Sequence, residues 1–175
     1  MEFTNKIIGM AMVIIATTGY GIILSRDIKA RLKELKELKK IIFLMKGEIS
    51  FGHTPLLEAF DNVSRRCGTP FKEILNSFVK FGKESDKKPF VEIWNEGMTD
   101  LIDKTHLSKD EKELVMKLGG DLGLSDITTQ QNAIDSFLNE LDLNIKTLEK
   151  AVPNKVKLYN SMGIMLGIVI AIIMI

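Results

Sequence analysis

Two uncharged apolar runs lie near the ends of the chain, and almost all the charged residues lie between them. The first run extends from Ile7 to Leu24 and the second from Leu158 to Ile175. Each is close to the roughly 20 residues that a helix needs to cross a hydrocarbon core of about 30 Å. The pattern therefore predicts an N-terminal transmembrane helix at residues 1–25 and a C-terminal transmembrane helix at residues 158–175.

Two alternatives compete with a retained first membrane helix. A cleaved signal peptide has a short apolar region and a small-residue cleavage site. Gly19 and Gly21 supply small residues, but the apolar run continues through Leu24. A buried core helix would account for one apolar run, but it would leave the matching run at the other end unexplained. We therefore interpret both runs as membrane spans.

The basic residues indicate how such a chain would be oriented. Before the first apolar run, the only lysine or arginine is Lys6. Seven follow the first run closely and four precede the second: Arg26, Lys29, Arg31, Lys33, Lys36, Lys39 and Lys40, then Lys146, Lys150, Lys155 and Lys157. By the positive-inside rule, the middle of the chain is expected in the cytoplasm and both termini on the other side.

Beyond the first run the pattern becomes that of an amphipathic helix. No glycine or proline lies between Ser25 and Lys46, so we expect the first span to continue as a stalk helix over residues 26–51. Apolar residues recur at steps of three and four, which is typical of one buried helix face: Leu35, Leu38, Ile42, Met45 and Ile49. The charged residues between them, Glu34 included, are expected on a solvated face.

Five further amphipathic segments follow, each with a recognisable start signal. Thr54-Pro55 and Thr69-Pro70 are each followed three residues later by glutamate, Pro89 opens a third segment, and Ser108 with Glu111 forms a capping box. The last segment carries an apolar face and meets Pro153, which is expected to mark a junction before the second span. That face comprises Ile127, Ile134, Phe137, Leu138, Leu141, Ile145 and Leu148.

No window alternates with the period of two that is typical of a strand. The sequence therefore predicts an all-α protein. A cytosolic bundle of about six helices, at residues 26–157, would lie between the two transmembrane helices.

Two polar, glycine-containing segments stand out, and we call them the first and second corners. The first corner is Glu48–Ala59, which reads EISFGHTPLLEA. We expect the stalk helix to end at Gly52, because glycine tolerates the positive φ of a helix stop. Thr54 is expected to cap the next helix and Pro55 to occupy its first position.

The second corner is Leu118–Gln130, which reads LGGDLGLSDITTQ. It is not a phosphate-binding loop, because no Lys-Ser or Lys-Thr follows its glycines. We expect Gly119 and Gly123 to break a helix where the backbone lies close to a neighbour, and Asp126 or Ser125 to cap the last helix. The acidic residues near both corners could cap helices, bind opposing cations or face a protein partner.

Composition excludes several classes of function. Lys plus Arg is 24 and Asp plus Glu is 23, a net charge of +1 that gives no indication of nucleic acid binding. Cys67 is the single cysteine, so no intramolecular disulfide can form, and it is expected to be a small buried residue rather than a nucleophile. The two histidines lack metal-ligand spacing. With no catalytic constellation, we expect neither an enzyme nor a cofactor.

Both corners closely resemble the signature segments of the stage III sporulation protein AB family, and the resemblance covers essentially the whole chain. The first corner is also loosely similar to that of the inner-membrane platform protein of type II secretion and type IV pilus systems, with one more residue between glycine and proline. The shared positions are Gly52, Pro55, Leu56, Glu58 and Ala59.

This resemblance implies a role in endospore formation. The family belongs to a secretion-like channel complex between mother cell and forespore, served by a companion ATPase in the mother-cell cytosol. It implies a non-enzymatic membrane platform that couples the ATPase to the channel. It also implies a location in the outer forespore membrane, with the middle domain facing the mother-cell cytosol.

The expected partners are therefore the companion sporulation ATPase, other membrane subunits of the complex, membrane lipid and further copies of the chain. The candidate interface or structural residues lie in the two corners: Glu48, Gly52, Thr54, Pro55, Glu58, Gly119, Gly123, Asp126 and Gln130. The alternative is a small membrane scaffold or an oligomeric transporter subunit unrelated to ATPase docking, although neither apolar run contains an acidic or basic residue.

Overall fold

The computed structural model describes residues 2–52, 54–85, 88–123 and 126–173, and this part of the chain is helical throughout, with short connections and no strand. The predicted all-α fold is confirmed. Six helices follow one another in the described residues: α1 (Glu2–Gly52), α2 (Leu56–Ser64), α3 (Phe71–Glu84), α4 (Phe90–Ile102), α5 (Lys109–Leu122) and α6 (Ile127–Ile173).

The chain divides into two compact units. Unit 1 comprises Met1–Leu32 and Thr147–Ile175, and unit 2 comprises Lys33–Lys146. The first and last helices are long enough to contribute to both, with 51 residues in α1 and 47 in α6.

The prediction that Pro153 marks a junction is wrong, because α6 continues through it. A proline removes one backbone hydrogen bond and can bend a helix without ending it. The buried positions Leu148 and Val152 continue the inner face of the helix up to the exposed Pro153. Packing on that face favours a continued helix on both sides of the proline.

In unit 2, successive helices run in alternating directions between two ends. At one end α1 stops and α6 starts, and we call this the corner end. There, a Cβ added to Gly82 near the end of α3 would lie 2.5 Å from Leu57 in the first turn of α2. A Cβ added to Gly123, just after α5, would likewise lie 2.3 Å from Val91 in the first turn of α4.

The other end of unit 2, which we call the opposite end, holds the connections α2–α3 and α4–α5. The backbone N–H of Gly68 donates to Glu37 at 3.2 Å, and that of His106 donates to Glu34 at 2.7 Å. Glu37 lies 15 residues before the end of α1, which is about 22 Å along a helix with a rise of 1.5 Å per residue. The corner end and the opposite end are therefore well separated.

The core of unit 2 is built on the stalk face of α1 and on aromatic side chains. All five predicted stalk positions are buried, with Leu35 fully inaccessible. Phe60, Phe78, Phe90 and Trp94, from α2, α3 and α4, pack with ring centroids 5.3–6.2 Å apart. Such rings bury large apolar areas and prefer these edge-on and offset arrangements.

Most of the predicted apolar face of α6 is also buried, including Ile134, Phe137 and Leu141. The prediction for Ile127 is wrong, because this first residue of α6 is 38% exposed. At the very end of a helix fewer neighbouring elements are available to cover a side chain.

Unit 1 contains two apolar helical segments that approach closely through small residues. A Cβ added to Gly21 would lie 2.6 Å from the carbonyl oxygen of Tyr159, and one added to Gly163 would lie 2.7 Å from that of Thr17. The hydroxyl of Ser25 lies 2.7 Å from the side-chain oxygen of Asn160. Small residues that let two helix backbones approach are typical of helix pairs in membranes.

Most large apolar side chains of the two apolar runs are exposed. Ile15 is 72% exposed and Met165 is 64% exposed, which is the reverse of what a buried core helix shows. Within the described residues, α1 and α6 are the two helices long and apolar enough to cross a membrane. Both observations are consistent with a two-span membrane protein.

Candidate functional site

An antiparallel pairing of α1 and α6 brings the two corners to the same end of unit 2. The side-chain nitrogen of Gln131 donates to the hydroxyl of Ser50 at 3.0 Å. Four residues earlier in α1 and four later in α6, Lys46 binds Asp135 at 2.5 Å. Seven residues further in each direction, Lys39 binds Asp142 at 2.5 Å. These three contacts keep one register, so the end of α1 lies beside the start of α6.

In the first corner, Glu48 of α1 accepts a hydrogen bond from Asn62 of α2 at 3.2 Å. α1 ends at Gly52 as expected, although no described glycine has the positive φ expected of such a stop, and His53 lies outside the described residues. The contact between Glu48 and Asn62 joins the last turns of α1 to α2.

The predicted cap at Thr54 is wrong, and so is the prediction that Pro55 occupies the first position of the helix. α2 begins at Leu56 with Pro55 as its N-cap, and no side chain accepts a hydrogen bond there. The carbonyl of Pro55 receives the first helical hydrogen bond, from the N–H of Ala59 at 2.9 Å. Thr54 therefore lies one residue too early to cap α2, and it is half-buried.

Glu58 is the exposed acidic residue of the first corner. It lies in the first turn of α2, where a carboxylate is favoured by the positive end of the helix dipole. Within the described part of the chain no cation or hydrogen-bond donor contacts this carboxylate. Both Glu58 and its neighbour Pro55 are accessible at the corner end.

In the second corner, the prediction that α5 breaks at Gly119 is wrong. The helix continues to Leu122, and Gly123 follows with a right-handed φ of −70°. The expected close approach is present, because a Cβ added to Gly119 would lie 2.0–2.2 Å from the indole ring of Trp94. The absence of a side chain at Gly119 leaves space for the indole ring, and α5 continues through this glycine.

Two polar residues of the second corner satisfy backbone groups at helix ends. The carboxylate of Asp126 accepts from the N–H and the hydroxyl of Thr129, both at 2.8 Å, and so caps α6. These hydrogen bonds lower the pKa of Asp126, with the side-chain bond to Thr129 the largest cause. Gln130 donates to the carbonyl of Leu122 at 2.9 Å, at the end of α5.

Five of the candidate residues divide into two groups. Gly119, Gly123 and Gln130 make packing or backbone contacts that hold α4, α5 and α6 together. Glu58 and Asp126 present charged oxygens at the surface of the corner end, although Asp126 also serves as a cap.

At the opposite end, the structure buries Glu34, which the sequence pattern placed on a solvated face. Glu34 is only 7% exposed and accepts from the backbone N–H of His106, and the His106 ring nitrogen Nδ1 also lies 2.7 Å from this carboxylate. Periodicity could not reveal it, because the two residues are 72 positions apart. The predicted capping box of Ser108 and Glu111 is confirmed, with both reciprocal hydrogen bonds present.

Metal binding and thiol chemistry are not supported by the described residues. In residues 2–52, 54–85, 88–123 and 126–173, no group of three or more His, Cys, Asp or Glu residues could hold a metal ion. Burial is the main cause that raises the pKa of the Cys67 thiol, and its sulfur lies 3.0 Å from the carbonyl of Val63. A thiol of raised pKa is a poor nucleophile at neutral pH.

A helical domain joined to two membrane-length apolar helices, with polar corners gathered at one end, is the architecture expected of a small two-span membrane protein. The family model of stage III sporulation protein AB matches residues 6–175. The chain belongs to that family.

Two individual proteins are similar to this chain. The chain is 25% identical over 170 residues to stage III sporulation protein AB of Bacillus subtilis (strain 168), covering 97% of this chain and 98% of the relative. A solved structure of stage III sporulation protein AB matches with a TM-score of 0.65 at 23% identity, over 71% of this chain and 97% of the solved one. The second match supports the helical fold.

Proposed function

We propose that this protein is a non-enzymatic membrane platform component of the secretion-like channel complex between mother cell and forespore, where it couples a cytosolic ATPase to the membrane channel. Membership of the stage III sporulation protein AB family supports a role in sporulation. The two apolar end helices and the resemblance of the first corner to secretion platform proteins support the more specific platform role.

The orientation in this proposal rests on charge. Basic residues cluster at the inner ends of both apolar runs, which supports a cytoplasmic location for unit 2. By resemblance, the membrane is the outer forespore membrane, and unit 2 faces the mother-cell cytosol. A cytosolic ATPase can reach a domain placed there.

The observation that carries the docking site is the convergence of both corners at the corner end of unit 2. Ser50 and Gln131 hold the end of α1 against the start of α6. The exposed carboxylates of Glu58 and Asp126 lie in the corners that meet there. Two exposed acids suit a basic partner surface, since complementary charges steer encounter and fix orientation.

The chain supplies its own matched control for this proposal. Thr54-Pro55 precedes Glu58 and Thr69-Pro70 precedes Glu73, so both glutamates lie in the first turn of a helix with the same start sequence. Both are exposed. Glu58 belongs to the corner end and Glu73 to the opposite end, so their substitutions differ mainly in location.

The test is capture of the companion ATPase by the full-length protein in detergent. Charge reversal Glu58→Lys is expected to weaken capture by about tenfold or more, while Glu73→Lys leaves it unchanged. Asp126→Asn is expected to weaken it less, because asparagine retains the cap of α6 while removing the charge. Equal loss in both glutamate variants, or no capture by the unmodified chain, would contradict docking at the corner end.

A further inference from the structure

The two apolar segments of unit 1 leave a groove between them along one side. Its volume is about 400 Å³ and its walls are almost wholly apolar, within the roughly 300–1,000 Å³ typical of small-molecule sites. Gly21 and Gly163 bring the backbones together at its floor, and larger side chains form the walls. The lining includes Ala16, Tyr20 and Leu24 of α1 and Tyr159, Met162 and Leu166 of α6.

A cation lies just beyond one end of this groove. Lys155 precedes the lining residue Tyr159 by four positions, and residues four apart share one face of a helix. Lys155 is exposed. Nearby, Lys157 is exposed as well, while the acids of this region, Asp27 and Glu149, each already have an interaction partner.

One tyrosine marks the depth of the groove in a bilayer. Tyr159 is half-buried and is the α6 lining residue at the end of the groove nearer Lys155, whereas Tyr20 lies near the middle of the α1 wall and is 65% exposed. Tyrosine is enriched at membrane interfaces, where its ring lies in apolar surroundings and its hydroxyl reaches water. This end of the groove is therefore at headgroup level and the rest is among the acyl chains.

We propose that the groove binds one acyl chain of an anionic phospholipid, whose phosphate is held by Lys155. The inference rests on the membrane placement of unit 1 but is independent of ATPase docking. The apolar walls suit a hydrocarbon chain, because neither surface has hydrogen-bonding groups that would be left unpaired. A negatively charged headgroup complements Lys155 at the end of the groove. A second apolar helix in the groove would cover the walls but leave Lys155 without a counter-charge.

The experiment measures lipid binding to the delipidated full-length protein in detergent by native mass spectrometry. The probes are phosphatidylglycerol and phosphatidylcholine with identical acyl chains, which separates the headgroup from the chain. We expect one molecule of phosphatidylglycerol to bind preferentially. Lys155→Gln should reduce that preference by about fivefold, as expected for one lysine near an anionic lipid. Lys157→Gln, which lies 200° around the helix from Lys155, should leave it unchanged.

A second pair of variants tests the groove itself. Ala16→Phe places a ring in the groove and should reduce binding of both lipids, whereas Ile15→Phe changes a neighbouring side chain that is 72% exposed and does not line it. Equal binding of the two lipids, equal effects of the two lysine variants, or retained binding in Ala16→Phe would each overturn the proposal. Capture of the ATPase by these same variants separates this result from failure of the platform role.

Discussion

The two units of the molecule use glycine in opposite ways. In unit 1, Gly21 and Gly163 face backbone atoms of the partner helix at distances that leave no room for a side chain. In unit 2, Gly119 and Gly123 face the side chains of Trp94 and Val91. The first arrangement brings two backbones together, and the second makes space for large side chains in a core.

The difference follows from the solvent of each unit. In lipid, apolar side chains gain little by leaving their surroundings, so helices associate through close contact and interhelical hydrogen bonds. In water, burial of apolar surface is the main driving force. Ile15 is accordingly exposed in unit 1, whereas Phe60 and Trp94 are buried in unit 2.

The largest effect is expected in the core of unit 2. Gly119→Ala forces a methyl group against the buried indole of Trp94 and should lower the free energy of unfolding by about 3 kcal/mol, the upper end of typical overpacking costs. Gly120→Ala is the matched control. No atom lies within 4 Å of a Cβ at Gly120, so alanine should stabilise the helix by about 1 kcal/mol.

Trp94 is the single tryptophan of the chain, and its fluorescence during denaturant unfolding measures both variants. Similar stabilities for Gly119→Ala and Gly120→Ala would mean that the glycine is not required for packing.

A smaller effect is expected in unit 1. Gly21→Ala would place a methyl group 2.6 Å from the Tyr159 carbonyl oxygen and should weaken pairing of the two segments by about 1–2 kcal/mol. Gly19→Ala is the control, since nothing lies within 4 Å of that position.

Energy transfer between dyes on cysteines at the exposed Ala11 and Val169, in a Cys67→Ser background, reports this pairing in micelles. If Gly19→Ala separated the dyes as much as Gly21→Ala, the backbone contact would not be the cause.

The hydrogen bonds of Ser25 should contribute less. Its hydroxyl donates to the carbonyl of Gly21 at 2.9 Å or to Asn160 at 2.7 Å. Ser25→Ala should weaken pairing by about 0.6 kcal/mol, the average for such bonds in membranes. The exposed Ser161, changed to alanine, provides the control in the same energy-transfer assay, and equal effects would exclude a specific role for Ser25.

The smallest effect concerns acid stability. Hydrogen bonds from Lys146 and then Lys39 lower the pKa of Asp142 from 3.8 to about 2. Because the folded pKa is depressed, the stabilisation is fully present above about pH 4 and is lost as pH falls towards 2. Asp142→Asn should flatten the loss of stability over this interval, and added salt should reduce the difference, since the contact is at the surface. An unchanged acid profile would contradict this contribution.

The sequence predicted what depends on local pattern. The buried stalk positions such as Leu35 follow from steps of three and four, and the Ser108 capping box follows from a short motif. Gly119 packs closely against Trp94, 25 positions earlier in the chain, and no local signal reveals that contact. Glu34 and His106 were missed for the same reason, and Pro153 because the outcome at a proline depends on packing around it.

The candidate site was likewise predictable only in part. Both corners were recognisable as motifs, but their convergence depends on the pairing of α1 with α6 through contacts such as Lys46 with Asp135. The separation of structural residues from accessible ones also required the fold. Glu58 and Gly119 belong to corners of comparable appearance, yet one is at the surface and the other lies against an indole ring.

The most direct test of the account is photo-crosslinking in sporulating cells, with a photoreactive amino acid in place of Glu58 or, as the control, in place of Glu73. If the ATPase docks at the corner end, position 58 crosslinks to it and position 73 does not. Crosslinking from position 73 alone would place the partner at the opposite end of unit 2. That result would contradict a docking site built from the two corners.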